Sequence, residues 1–267
     1  MAFASATTSP DVLDRRFADL RTAGRRALVV YVTAGHPTVE KSLELVRGLD
    51  DAGADVIEVG VPFSDPMADG AVIQASSQRA LELGMTLDKT LDLVARARVR
   101  APVVLFSYLN PLLASRGDLL ERALESGVHG ILVTDLPVGA DPELEGWLGA
   151  GPLAFIRLVA PTTPRARMAE IARHGRGFVY LISRLGVTGE RGDVSAELPG
   201  TVAALREATS LPICVGFGIS KPDQAATVGR LADGVVVGSA VVRAADRDID
   251  AALSLVRAMR TALDQLP

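Results

Sequence analysis

The sequence predicts a single (β/α)8 barrel over residues 1–267, and three observations carry that prediction. Eight short apolar runs alternate with longer helix-patterned segments, which gives repeated βα units. Most runs are continuous in Val, Ile and Leu rather than alternating with polar residues, which suits parallel strands covered on both faces. A junction of helix, glycine, tight turn and strand recurs, so that Leu49-Asp50-Asp51-Ala52-Gly53-Ala54-Asp55-Val56-Ile57 resembles Ala123-Leu124-Glu125-Ser126-Gly127-Val128-His129-Gly130-Ile131. Eight such units in 267 residues fit a closed barrel better than a six-stranded open sheet. A chain of this length can bury roughly 75% of its unfolded surface around one core, and no linker or composition shift divides it.

In chain order, residues 9–22 precede the first apolar run and read as an extra helix closing the barrel floor. Strands are expected at 28–33, 56–60, 102–108, 130–134, 153–158, 178–182, 212–216 and 235–238. Between them, residues 39–50, 87–98, 118–125, 164–173 and 201–208 space their apolar side chains as helices do. A further helix is expected to begin at Ser239.

Composition narrows the function classes. Hydrophobic residues make up 48% and charged residues 22%, ordinary for a globular protein. The net charge of −4 leaves no basic surplus for nucleic acid or an anionic membrane. One cysteine, Cys214, allows neither an intrachain disulfide nor a CxxC metal site and points to a reducing compartment. No run approaches the ~18 apolar residues of a membrane span, and residues 1–10 lack the apolar core of a signal peptide. A cytoplasmic protein is therefore expected.

Glu58 is the residue most at odds with its surroundings. It sits inside the apolar run Asp55-Val56-Ile57-Glu58-Val59-Gly60, where an ionised carboxylate without a partner is costly enough to shift its own pKa. The loop that follows, Val61-Pro62-Phe63-Ser64-Asp65-Pro66-Met67-Ala68-Asp69-Gly70, holds two more acids among Pro and Gly, so its backbone is stiff. Glu58 and Asp69 read as an acid/base pair. The plainer alternative is an ion-paired strand-end Glu and a helix-capping Asp.

The last third carries the features of an anion site. Val215-Gly216-Phe217-Gly218-Ile219-Ser220 follows the seventh run and Val237-Gly238-Ser239-Ala240 the eighth. Glycines there let backbone N–H groups approach a phosphate, and a helix starting at Ser239 would aim its N-terminal dipole at the same point. Phosphate sites in such barrels use this pair of loops; the glycines could instead only make tight turns. Arg243 and Lys221 lie nearby and read as surface charges. The loop Ser183-Arg184-Leu185-Gly186-Val187-Thr188-Gly189-Glu190-Arg191-Gly192-Asp193-Val194 is long and glycine-rich, as a lid or a spacer would be. In a closed lid, Thr188 could reach the Asp69 loop.

Lys41, Lys89 and Lys221 all lie outside the expected strands, so an imine-forming aldolase lacks an obvious nucleophile. His36, His129 and His174 are scattered, the last two expected just before the fourth and sixth strands, so a zinc site is not expected. With neither an imine nor a metal as electron sink, carbon–carbon cleavage would need a substrate that holds its own electrons while carboxylates move the protons.

The segments Glu58-Val59-Gly60-Val61-Pro62-Phe63-Ser64-Asp65-Pro66, Ala68-Asp69-Gly70, Ile73-Gln74, Ser183-Arg184, Gly186-Val187-Thr188-Gly189 and Gly216-Phe217-Gly218-Ile219 together resemble the tryptophan synthase alpha subunit family. The resemblance runs from about Arg15 to the C-terminal helix, and its PFSDP…ADG block is highly specific. It implies a TIM barrel, without cofactor or metal, that cleaves indole-3-glycerol phosphate to indole and glyceraldehyde 3-phosphate. It also implies a pyridoxal-phosphate-dependent beta subunit as partner in an α2β2 assembly. By the same resemblance Glu58 is the general acid/base, and Asp69 accepts the indole N–H hydrogen bond. Thr188 and Gly189 belong to the lid, and Gly218, Gly238 and Ser239 hold the phosphate. Tyr31, Phe106, Tyr108, Tyr180 and Phe217 line the substrate pocket, although Tyr108 and Tyr180 could be core aromatics with satisfied hydroxyls. Pro62 and Asp65 lie near the beta subunit. Ala71, His36, Thr134 and the loop tip Glu190-Arg191-Gly192-Asp193 depart from the family pattern. The other readings left open are a weakly active partner-binding subunit and a sugar-phosphate isomerase on the same barrel.

Overall fold

The computed structural model describes residues 12–183, 196–216 and 218–267. Among them, eight parallel strands close into a barrel in chain order: β1 (Ala27–Thr33), β2 (Val56–Gly60), β3 (Val103–Ser107), β4 (Val128–Val133), β5 (Ala154–Val159), β6 (Val179–Ile182), β7 (Ile213–Gly216) and β8 (Gly234–Val237). Each lies within two residues of its expected bounds. The lid expected after β6, with Thr188 and Gly189, and Phe217 after β7 lie outside the described residues.

Helices α1 (Val12–Thr22), α2 (Val39–Ala52), α4 (Leu87–Ala97), α6 (Leu119–Glu125), α8 (Arg165–Arg173), α9 (Leu198–Ala208) and α11 (Ser239–Arg247) fall where the sequence expects them. Four more interrupt the expected loops: α3 (Ala71–Glu82), α5 (Leu109–Leu113), α7 (Pro142–Ala150) and α10 (Pro222–Gly229). The chain closes with α12 (Ile249–Asp264). Local chemistry sets the ends. Thr38 and Thr86 accept the N–H groups of Lys41 and Lys89 to cap α2 and α4. Gly53 ends α2 at a left-handed φ of 94°. Asp141 accepts from Glu143 and Leu144 to start α7, with Pro142 at its first turn. No helix among the described residues is long and apolar enough to cross a membrane.

Side chains alternate between two apolar layers because each strand is covered on both faces. Outward residues such as Leu28, Val30, Ile57, Val59 and Leu105 pack with the helices. Inward residues such as Val29, Val56, Val104, Leu132 and Cys214 form a separate cluster with Leu13, Phe17 and Leu20 of α1. The expected floor helix is therefore present, and it plugs the barrel. A methyl group on Gly130 would stand 2.9 Å from Leu13 Cδ1 and 2.7 Å from Ile156 Cδ1, so only glycine leaves room for the plug. His129 lies within β4, not before it, and its Nδ1 accepts the Val103 N–H. The β3–β4 register shifts beside Val103, which frees that N–H for a side-chain acceptor.

Candidate active site

The alternation that builds the core also aims the candidate residues. In β2, Val56 joins the inner cluster while Ile57 and Val59 join the outer one, so Glu58 and Gly60 face the barrel axis. In β1 the same parity turns Tyr31 and Thr33 inward. Tyr31 pairs in register with Glu58, and Phe106 of β3 with Gly60. Tyr180 belongs to the inner cluster, with Phe106 packed against it.

Glu58 is fully buried, and among the described residues neither carboxylate oxygen has a hydrogen-bond partner. Burial alone pushes its pKa up to about 8, because the ionised form loses water and gains nothing in return. Asp55, three residues earlier, shows the contrasting case. It is also buried, but its Oδ2 accepts the Leu28 N–H at 2.9 Å and lies 2.8 Å from Arg260 Nη1, tying the barrel floor to α12. Burial raises the Asp55 pKa while that N–H and Arg260 oppose the rise. Asp55 thus has a structural explanation, whereas an ion pair does not account for Glu58.

Asp69 is half-buried at the end of the stiff loop. Its Oδ2 accepts the Tyr108 hydroxyl at 3.0 Å, and the Tyr108 oxygen in turn accepts the Ala68 N–H at 2.9 Å. Burial pushes the Asp69 pKa up to about 6 against the lowering effect of Tyr108. Asp69 does not cap a helix; the N-cap of α3 is Gly70, with no side-chain bond. Phe63 stacks on Tyr108 with ring centroids 5.0 Å apart. Ser77 of α3 accepts the Phe63 N–H at 2.9 Å and donates to the Phe63 carbonyl at 3.3 Å. The loop is therefore held at both ends. Pro62 is buried and Asp65 exposed, next to Met67, which is 90% exposed.

The two carboxylates act on common neighbours. Burial raises the pKa of Tyr31, and the charges of Asp69 and Glu58 raise it further; burial, Glu58 and Asp69 do the same to Tyr180. Tyr31 meets Phe106 edge-on with centroids 5.2 Å apart. The two tyrosines also require glycine at the strand ends beside them. A Cβ on Gly60 would stand 2.1 Å from the Tyr31 oxygen, and one on Gly216 would stand 2.2 Å from the Tyr180 oxygen.

On the other side of the mouth, Gly238 precedes α11, whose first turn begins at Ser239. The Gly238 carbonyl accepts from Val241 and Val242, so among the described residues the first-turn N–H groups left for a ligand are those of Ser239 and Ala240. Gly238 packs against Tyr31, where a Cβ would lie 3.3 Å from the tyrosine Cβ. Gly218 takes a left-handed φ of 79°, and among the described residues nothing lies within 4 Å of where a Cβ would stand. Burial lowers the pKa of His36, whose Nε2 lies 2.8 Å from Asp246 of α11, so the loop after β1 is joined to this helix. Sequence reasoning did not pick out Thr33, Ser76, Ser77 or the His36–Asp246 contact. The neighbouring serines inside an otherwise helical segment were the available signal for the serine pair.

A proton-donating acid, an anionic acid, aromatic walls and a helix N-terminus at one barrel mouth can protonate a carbon, hold a developing cation and anchor an anion. The model of the tryptophan synthase alpha chain family matches residues 17–266. The tryptophan synthase alpha chain of Geobacter sulfurreducens is 47% identical over 258 residues, covering 92% of this chain and 97% of that protein. That of Citrifermentans bemidjiense is 48% identical over 231 residues, covering 85% and 86%. Among solved structures, tryptophan synthase subunit alpha from Legionella pneumophila superposes with a TM-score of 0.87 at 33% identity, covering 97% of this chain and 100% of that one. A Mycobacterium tuberculosis tryptophan synthase structure gives 0.88 at 32% identity, covering 96% and 99%.

Proposed function

Because the chain belongs to the tryptophan synthase alpha chain family, we propose that it is the lyase that cleaves indole-3-glycerol phosphate to indole and glyceraldehyde 3-phosphate in tryptophan biosynthesis. The whole chain, residues 1–267, forms one barrel domain in this reading and works in the cytoplasm. Its partner is a pyridoxal-phosphate-dependent beta subunit in an α2β2 assembly. Pro62 and Asp65 face that partner.

Near neutral pH the raised pKa of Glu58 keeps it mostly protonated, while Asp69, held lower by Tyr108, is mostly ionised. Glu58 donates its proton to indole C3. The positive charge that then develops at the ring nitrogen is stabilised by Asp69, which accepts the N–H hydrogen bond. Glu58, now a carboxylate, takes the proton from the glycerol hydroxyl next to the ring. The carbon–carbon bond breaks, its electron pair returns to the ring, and the former hydroxyl carbon becomes the aldehyde. The phosphate sits on the first turn of α11 at Gly238 and Ser239, with Gly218 beside it. Phe106, Tyr108 and Tyr180 line the ring pocket. Thr188, Gly189 and Phe217, which lie outside the described residues, complete the lid and wall on motif grounds.

The observation that carries this reading is a wholly buried, unpartnered carboxylate whose charge acts on the same tyrosines as Asp69. Purified chain, with and without a beta subunit, is expected to release indole from indole-3-glycerol phosphate. Replacing Glu58 by Gln keeps the shape and removes the transferable proton, so turnover should be lost; a variant with full turnover would overturn the assignment.

A further inference from the structure

Three buried hydroxyls connect β1 to α3. The Ser76 hydroxyl donates to the Ile73 carbonyl at 2.8 Å, which uses its one proton. Thr33 Oγ1, 2.7 Å from Ser76 Oγ, must therefore be the donor in that pair. With the Thr33 proton spent, the Tyr31–Thr33 contact at 3.4 Å runs from the tyrosine hydroxyl to Thr33. The chain has one direction, from Tyr31 through Thr33 and Ser76 to Ile73, and it commits the tyrosine proton to Thr33. The Tyr31 oxygen is left as an acceptor only, and among the described residues no donor reaches it.

Tyr31 also spans the distance a substrate must cross. Its ring lies against Gly238 at the helix that takes the phosphate, and its hydroxyl lies over Gly60, two residues beyond Glu58. A ligand anchored at Gly238 and reacting at Glu58 lays its connecting arm along this side chain. We propose that the Tyr31 hydroxyl, oriented by Thr33 and Ser76, accepts a hydrogen bond from a hydroxyl of the substrate's glycerol arm and so selects a hydroxylated arm over a plain alkyl one. Tyr31 is the specificity-determining residue, and Thr33 and Ser76 position it. The inference rests on the cleavage reading.

The test compares indole-3-glycerol phosphate with indole-3-propanol phosphate, which keeps ring and phosphate but has no arm hydroxyl. Binding of both is measured by calorimetry on the full-length chain in a Glu58→Gln background, where no turnover intrudes. Adding Tyr31→Phe should weaken the glycerol ligand about threefold to tenfold, the worth of one neutral hydrogen bond, and leave the propanol ligand within about twofold. Thr33→Val should weaken the same ligand selectively and by less, and Thr33→Ser, which keeps the hydroxyl, should restore it. Equal weakening of both ligands by Tyr31→Phe, or of neither, would overturn the inference while the cleavage reading stands. If the wild-type chain releases no indole from indole-3-glycerol phosphate, with or without a beta subunit, the cleavage reading falls first and this inference with it.

Discussion

Glu58→Gln should change the pH dependence of stability as well as the activity. The carboxyl group has a pKa near 4.5 when unfolded and about 8 when buried in the fold. Its folded pKa is the higher, so its contribution to stability is fully present below the unfolded value and is lost as pH rises through the folded one. The part of its burial cost that depends on ionisation is about 1 kcal/mol near pH 5 and about 4 kcal/mol near pH 8, a loss of about 3 kcal/mol across that interval. The residue is wholly buried, so solvent does not screen the effect away. Gln carries no charge, and its partnerless buried amide, like the protonated carboxyl it replaces, costs about 1–3 kcal/mol at every pH. Urea unfolding of both chains at the two pH values should therefore show the variant gaining about 3 kcal/mol on wild type between acid and mild base. Thermal unfolding should mirror this, with the wild-type midpoint falling roughly 6–10 °C more than that of the variant over the interval. Parallel stability curves for the two chains would refute the reasoning, because they would mean that Glu58 titrates alike folded and unfolded.

Turnover should follow a bell in pH, falling below about 6 as Asp69 protonates and above about 8 as Glu58 ionises; a flat kcat/KM profile through either limb would detach that acid from the chemistry. Tyr108→Phe removes a hydrogen bond that lowers the Asp69 pKa and the acceptor of the Ala68 N–H, so the acid limb should move to higher pH with reduced activity. An unmoved limb would show that Tyr108 does not tune Asp69. Gly216→Ala would place a Cβ 2.2 Å from the Tyr180 oxygen. Because the ring can swing aside, substrate affinity should suffer more than stability; a variant that binds indole-3-propanol phosphate like wild type would exclude Tyr180 from the pocket.

The barrel was legible because its evidence is local. Continuous runs such as Val235-Val236-Val237 have little alternative to a strand covered on both faces. The floor helix was legible from Leu13, Phe17 and Leu20, spaced to share one face. Of the helices not expected, α3 and α7 carry a weak apolar stripe. In α3, Ser76 and Ser77 occupy buried positions where a helix pattern calls for apolar residues, because they hold β1 and the Phe63 backbone instead. α7 and α10 open on the start signals Asp141-Pro142 and Lys221-Pro222.

Within the site, Glu58 announced itself as a charge in an apolar strand. What surrounds it could not be read that way. The bond from Tyr108 to Asp69 joins residues 39 positions apart, and the contact between Thr33 and Ser76 joins residues 43 apart. His36, in the loop after β1, is buried against Asp246 of α11. Such contacts depend on which strands become neighbours, and periodicity along one segment carries no information about them.

The claim on which the account rests is that Glu58 holds its proton near neutral pH while Asp69 does not. Infrared difference spectroscopy of wild type against Glu58→Gln reads this directly through the carbonyl stretch of a protonated carboxylic acid. The account predicts that this band is present in the wild type at neutral pH, absent from the variant, and titrates away near about pH 8. A difference spectrum showing only an ionised carboxylate at neutral pH would contradict it.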